Sequence, residues 1–447
     1  MSGIGLREKF SYGLGDFAYA LVWNVVGAFL LYYYTDVVGL AAAAVGTLFL
    51  TSRLLDAGID LAVGVWVDKT RSRWGRTRPF LLFTGPAFCL FFVLTFMVPP
   101  SWSAGAKLAY AWITFYVLGV LFSLGSVPVN ALLPMLTADP RERLQISSIR
   151  AGLSAVSVII ATAATIPLAT SLGRGSEWRG FAILAALFAV LALALIVNAF
   201  LTCREHVHDE TPPSFPVLPA VKLMLTNRAW LVTFAYAVLN FVRFGTIISV
   251  TTYFAIEVLH APWAIGVLLP AVSGTLLVGS MIAPAIFRRL GMKRGCLVSL
   301  SLATLLTLLL PAMETRTVLF LTTFVISSLA VSVTMVGIFT MAADSVDWHE
   351  WTTGTRNEGL LSSGISLATK VGMAIGTAAI AYTLAAAGYQ PHAVSDTARQ
   401  AIRWSYYAWP AGIYLVQIVV ILFWPMDGMH DRIRSDVTAR KLAAAAA

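Results

Sequence analysis

Two carboxylates stand one helical turn apart inside an apolar run: Asp56 and Asp60, with Arg53 three residues ahead, in the stretch from Leu40 to Trp66. Residues three and four apart share a helix face, so all three side chains fall on one stripe. A charged side chain at membrane depth costs at least ~3 kcal/mol, and such residues tend to mark ion or proton pathways. Two like charges one turn apart repel unless a cation lies between them or one is protonated. That chemistry suits a site that takes up Na+ or H+ and releases it again. The spacing alone leaves a second reading open, a structural ion-pair cluster of Arg53 with these acids and a distant Lys or Arg.

The elements that must hold these residues are membrane helices. The chain has 447 residues, 58% of them hydrophobic and 12% charged, where soluble domains carry about 25% charged residues. Its apolar runs are long enough for helices rather than barrel strands. The hydropathy pattern predicts twelve spans, at roughly 13–34, 41–67, 79–99, 108–134, 146–171, 179–202, 229–257, 263–286, 296–312, 317–342, 359–387 and 404–425. An even number puts both termini on one side. The loops of that side hold most of the basic residues, so both termini are expected in the cytoplasm. That bias accounts for the net charge of +9 without nucleic acid as a partner. Cys89, Cys203 and Cys296 are dispersed, with neither disulfide nor metal spacing. No nucleotide loop and no nucleophile–base constellation is present, so an ATP-driven step and an enzyme are not expected.

The proline-rich loop 204–228 divides the chain into six spans and six. The expected organisation is an N-terminal bundle at 1–203, the cytoplasmic loop 204–228, a C-terminal bundle at 229–428 and a cytoplasmic tail at 429–447. The two halves echo each other. A glycine and basic cluster follows span two (Gly64, Asp68, Arg73, Gly75, Arg76), and Arg288, Arg289, Gly291, Lys293 and Arg294 follow span eight. Ala138 and Asp139 after span four are answered by Ala343 and Asp344 after span ten. Such repeats place a substrate site between the halves.

These residues also carry a resemblance. Gly64, Asp68, Lys69 and Arg71, followed by Gly75 and Arg76, resemble the loop motif of the major facilitator superfamily. The stretches Tyr12 to Asp16, Tyr32 to Leu40, Gly46 to Leu50, Arg53 to Asp60, Thr70 to Arg76, Ala343 to Asp347 and Arg356 to Gly359 are similar to the glycoside–pentoside–hexuronide:cation symporter family, in its melibiose-permease-like form. The resemblance implies an all-α membrane protein of twelve transmembrane helices, in the major facilitator fold of two pseudo-symmetric six-helix bundles. It implies that Asp56, Asp60 and Ser123 serve the coupling cation, with Asp56 and Asp60 as metal ligands if that ion is Na+. Lys370 and Arg150 fall on its charge partners, and Arg53, by its place beside the carboxylates, is expected to act with them. Ile59 replaces an asparagine of the family pattern, one oxygen ligand fewer, and both Na+ and H+ stay open. Two sugar-gripping aspartates fall on Ala20 and Ser126, and a span-four tryptophan on Asn130, so an α-galactoside grip is not preserved.

Other polar residues in the spans suit a carbohydrate. Trp23 offers an aromatic face; Asn24, Ser126, Asn130 and Asn240 offer hydrogen bonds for hydroxyls, and Lys370 a charge. Helix–helix hydrogen bonding is the ordinary alternative for the amides. Arg243 lies mid-span with no acid one turn away, so it is expected to face the central cavity and meet either an anionic substrate such as a uronide or a protein carboxylate. Asp68, Arg73, Arg76, Asp344, Asp347 and Arg356 read as gating residues at the cytoplasmic side. The expected protein is a monomeric inner-membrane symporter that moves a sugar, glycoside or uronide inward by alternating access, in the lipid bilayer, with no cofactor beyond the coupling Na+ or H+. The alternative on the same scaffold is a cation-coupled lipid or lysolipid carrier.

Overall fold

The computed structural model describes residues 4–137, 139–206, 226–353, 358–391 and 393–429, with a few positions of the tail. Among the described residues, eleven helical stretches are long and apolar enough to cross a membrane. The longest, Pro262–Met313, has 52 residues. At 1.5 Å per residue it would be more than twice the ~30 Å thickness of the hydrocarbon layer. Gly291 divides it, with φ 76° and ψ 169°, a conformation that only glycine adopts readily. The stretch is therefore two spans, and the twelve expected are present.

The helices are α1 (Leu6–Tyr32), α2 (Ala42–Lys69), α3 (Arg78–Thr95), α4 (Ala104–Leu136), α5 (Pro140–Gly173), α6 (Glu177–Thr202) and α7 (Arg228–Tyr253), then α8 (265–290) and α9 (292–309) on either side of Gly291, and α10 (Thr317–Thr353), α11 (Glu358–Ala386) and α12 (Asp396–Leu422). Local chemistry sets several ends. Ser103 and Ser176 accept from the backbone N–H groups of Ala106 and Arg179 and cap α4 and α6. Several helices outrun their apolar cores. α10 continues past residue 342 to Thr353, so Asp344 and Asp347 lie on the helix rather than beyond it. Backbone hydrogen bonds propagate a helix into water once it is nucleated, and hydropathy does not register that extension.

Packing groups the chain into two units. The first is Met1–Pro213 with Thr251–Ser273 and Ala378–Ile402; the second is Ser214–Val250, Gly274–Thr377 and Arg403–Ala447. In the first unit α1 packs on α5 and α6, α3 on α4 and α6, and α2 on α4. Small residues allow this closeness, as membrane helices require: a Cβ on Gly15 would stand 2.9 Å from that of Ala199 on α6. The segments from the second half join this unit at the end of α1. Tyr389 donates to Asp36 Oδ1 at 2.6 Å, and the hydroxyls of Tyr253 and Thr35 are 2.6 Å apart. The second unit has an apolar core of Tyr236, Cys296, Leu300, Ile338, Met341 and Tyr414, drawn from α7, α9, α10 and α12. Large apolar side chains such as Met281, Val190 and Val318 are exposed on the helices and suit contact with lipid.

Candidate functional site

The site builds outward from α2. Asp56 is 4% exposed, buried where α2 crosses α4. Arg53, one turn earlier, donates to Asp56 Oδ2 from Nη1 at 3.3 Å. Asp60, one turn beyond Asp56, is half-buried on the same helix. On the far side of Arg53 lies Trp23 of α1, whose ring centroid is 4.4 Å from the guanidinium carbon. Trp23 is held in turn by a stack on Phe122 of α4, with centroids 4.2 Å apart and planes 15° apart. A cation over an indole face away from water is worth ~2 kcal/mol. Arg53 therefore has two attachments, a carboxylate and a ring.

α4 supplies the opposite wall through two residues one turn apart. At Gly119 the absence of a side chain admits the carboxylate: a Cβ there would stand 3.0 Å from Asp56 Oδ1 and 3.7 Å from Ser52 Oγ. Ser123 follows on the same face. Its Oγ is buried and has no hydrogen-bond partner among the described residues. A buried hydroxyl left in that condition costs free energy unless something satisfies it. The donor set around α2 and α4 is hard oxygen from carboxylates and hydroxyls, which suits Na+ or a proton. No group of three or more His, Cys, Asp or Glu side chains that could hold a metal occurs among the described residues.

The structure gives several expected residues other neighbours. Arg150, expected as a charge partner of the cation site, binds Asp16 of α1 (2.9 Å) and the Tyr12 hydroxyl (3.3 Å) in this structure. The cause is the close packing of α1 on α5, which brings Asp16 to the guanidinium. Asn240, expected at the sugar, is fully buried and donates to Thr334 Oγ1 at 3.4 Å, joining α7 to α10. Asn130 donates to the Ser126 carbonyl of its own helix at 2.9 Å while remaining exposed. Asn24, Ser126 and Lys370 are half-buried. Arg243, expected to face the central cavity, lines a small cavity inside the second unit, between α7, α9, α10 and α12.

Among the gating candidates, Arg73 stacks on Trp74 at 4.3 Å. The backbone N–H groups of Arg76 and Thr77 donate to the Glu205 carboxylate at 2.9 and 2.8 Å. Glu205 thus ties the loop after α2 to the end of the first bundle. Asp344 and Asp347 are half-buried on α10. The Asp68 side chain and all of Arg356 lie outside the described residues. Sequence reasoning missed Asp16, Gly119, Phe122 and Glu205 as working residues. A signal existed for Gly119, four residues before Ser123 and so on the same face.

A bundle of twelve helices with a charged site inside its spans defines a membrane transporter of the major facilitator class. The family model described as "MFS/sugar transport protein" matches residues 11–428. The chain is 32% identical over 448 residues to the isoprimeverose transporter of Lactiplantibacillus pentosus, covering 96% of this chain and 91% of that protein. It is 33% identical over 396 residues to the putative glycoside/cation symporter YagG of Escherichia coli, covering 87% and 85%. Among solved structures it is similar to a bacterial homologue of the human lysosomal transporter Spinster in an inward-facing, occupied conformation. That likeness has a TM-score of 0.70 and 13% identity, covers 94% of this chain and 95% of the other, and concerns the fold alone. The chain belongs to the glycoside–pentoside–hexuronide:cation symporter family of the major facilitator superfamily. It is a transporter, not an enzyme.

Proposed function

We propose that this protein imports a sugar or glycoside, uronides included, by symport with Na+ or H+, across a bacterial inner membrane and with both termini in the cytoplasm. The reading of the ion site is carried by one observation: Asp56 is buried against Gly119 of α4, with Arg53 as its counter-ion, and one turn beyond Gly119 the buried Ser123 hydroxyl has no hydrogen-bond partner among the described residues. A coupling cation and Arg53 compete for the same carboxylate. When the cation binds Asp56, Asp60 and Ser123, the guanidinium keeps its place on the Trp23 face without its full charge partner. Cation uptake therefore alters the α1 surface that we assign to the sugar, through Trp23 and Asn24, with Ser126 and Asn130 on α4. We assign Lys370 of α11 as a second charge partner that compensates the α2 carboxylates when no cation is bound. Symport follows if closure of the substrate path is favoured only when these charges balance. The names of the relatives support a glycoside rather than a lipid as cargo.

The experiment is uptake into proteoliposomes with Na+ and pH gradients imposed separately, across a panel of glycosides, uronides and lysolipids. Uphill uptake of a glycoside driven by one gradient is expected. The double variant Asp56→Asn, Asp60→Asn is expected to lose accumulation while keeping downhill exchange. Full concentrative uptake by that variant would sink the ion-site assignment; uptake of lysolipid alone would sink the cargo.

A further inference from the structure

Arg243 is a buried cation that the symport reading leaves without a task. It is 5% exposed at the middle of α7, and its Nε is buried without a hydrogen-bond partner. Among the described residues it forms no ion pair with a carboxylate. Tyr414 lines the same cavity, and the Phe244 ring is 5.9 Å from the guanidinium carbon. Neither cancels a full charge. Arginine keeps its proton at this depth, and an uncompensated buried ion is strongly destabilising.

Beside the guanidinium is a cavity lined by Thr307, Ser327, Ser328, Tyr406 and Tyr414, with apolar walls from residues such as Phe324. The space beside the guanidinium is small, of the order that holds one small guest. The hydroxyls of Thr307 and Ser327 are 2.9 Å apart, and Ser327 also donates to the Ala303 carbonyl at 3.2 Å, so these two are largely occupied with each other and the backbone. Ser328, Tyr406 and Tyr414 also place hydroxyl-bearing side chains on its wall. The cavity therefore holds a fixed positive charge and O–H donors, the complement of an anion. Its size decides which anion. A sugar carboxylate brings a pyranose ring with it, and a neutral water would leave the charge uncompensated.

We propose that this cavity is a binding site for one monatomic anion of the chloride class, held by Arg243 and lined by residues of α7, α9, α10 and α12. The site belongs to the second unit alone and is distinct from the cation site on α2 and α4.

The test uses the purified full-length transporter at constant Na+, with the anion exchanged between chloride and methanesulfonate. Chloride is expected to raise the Tm by several degrees, in proportion to the logarithm of its concentration above half-saturation. Arg243→Gln is expected to abolish that dependence. Crystals grown with sodium bromide should show an anomalous bromine peak beside residue 243. Equal Tm values in both anions, or a cavity holding only water in the bromide crystals, overturn the proposal. So does a chloride effect that persists in a folded Arg243→Gln protein. Added glucuronate is the control for a substrate carboxylate: stabilisation by glucuronate but not by halide also overturns it. If Arg243→Gln does not fold, the bromide crystals and the chloride titration of the unaltered protein decide the matter by the same criteria.

Discussion

Gly119→Ala separates the ion site from the fold. Alanine in the middle of α4 gains ~1 kcal/mol of helix propensity over glycine. The added Cβ would stand 3.0 Å from Asp56 Oδ1, tighter than an ordinary contact, and overpacking of this kind costs ~1–3 kcal/mol. For stability the first term offsets part of the second and leaves a net cost of ~0–2 kcal/mol, so the variant should be expressed and folded. For the ion there is no such offset, because the whole clash falls on one carboxylate ligand. Asp56 cannot retreat freely, since Arg53 holds its other oxygen at 3.3 Å. A loss of ~1.4 kcal/mol in ion binding is tenfold, so the cation concentration for half-maximal uptake should rise about tenfold. The assay is initial uptake into proteoliposomes against cation concentration, with the Tm measured in parallel. Gly27→Ala is the control, because a Cβ at that α1 position meets nothing within 4 Å. A folded Gly119→Ala protein with the same half-maximal concentration as the unaltered one would refute the placement of the ion beside Asp56.

Three further outcomes follow from geometry. Arg150→Gln or Asp16→Asn alone should lower the Tm, and the double variant should recover part of the loss. Their side chains are 27% and 16% exposed, so a coupling energy of ~1 kcal/mol is expected rather than the larger value of a dry pair; strictly additive losses would deny that the pair ties α1 to α5. Tyr389→Phe removes the donor 2.6 Å from Asp36, a hydrogen bond to a charged group worth ~1.5–3 kcal/mol. Faster amide exchange in residues 33–38 is the expected readout, and unchanged protection there contradicts it. Glu142 is held below the ordinary carboxylate range first by the Thr137 hydroxyl, then by the Ile4 N–H and Lys9. A depressed carboxylate adds stability above its unfolded value and loses it as the pH falls through the folded one. The Tm difference between the unaltered protein and Glu142→Gln should therefore be full near neutral pH and close below pH ~4; a difference that grows on acidification contradicts the sign.

The sequence by itself determined what is local. Twelve apolar runs follow from the composition and the need to satisfy every backbone group in lipid. The break at Gly291 was visible as a glycine between two basic pairs. The stripe of Arg53, Asp56 and Asp60 follows from 3.6 residues per turn, and the family follows from the motifs around it. Tertiary structure alone decided the partners. Arg150 and Tyr12 are 138 positions apart, and nothing in either neighbourhood distinguishes Asp16 from Asp56 as the acid that Arg150 meets. The packing of α1 on α5 makes that choice. Gly119 reads in sequence as a small residue in a helix, and only the crossing of α2 over α4 turns it into the space for a carboxylate. Arg243 has a mid-span depth that periodicity reveals, but its direction depends on how α7 rotates against α9, α10 and α12. Helix rotation is set by the fit of many side chains from distant parts of the chain, each worth little alone. Depth is therefore legible in one dimension, while the partner of a buried charge is fixed only when the helices pack.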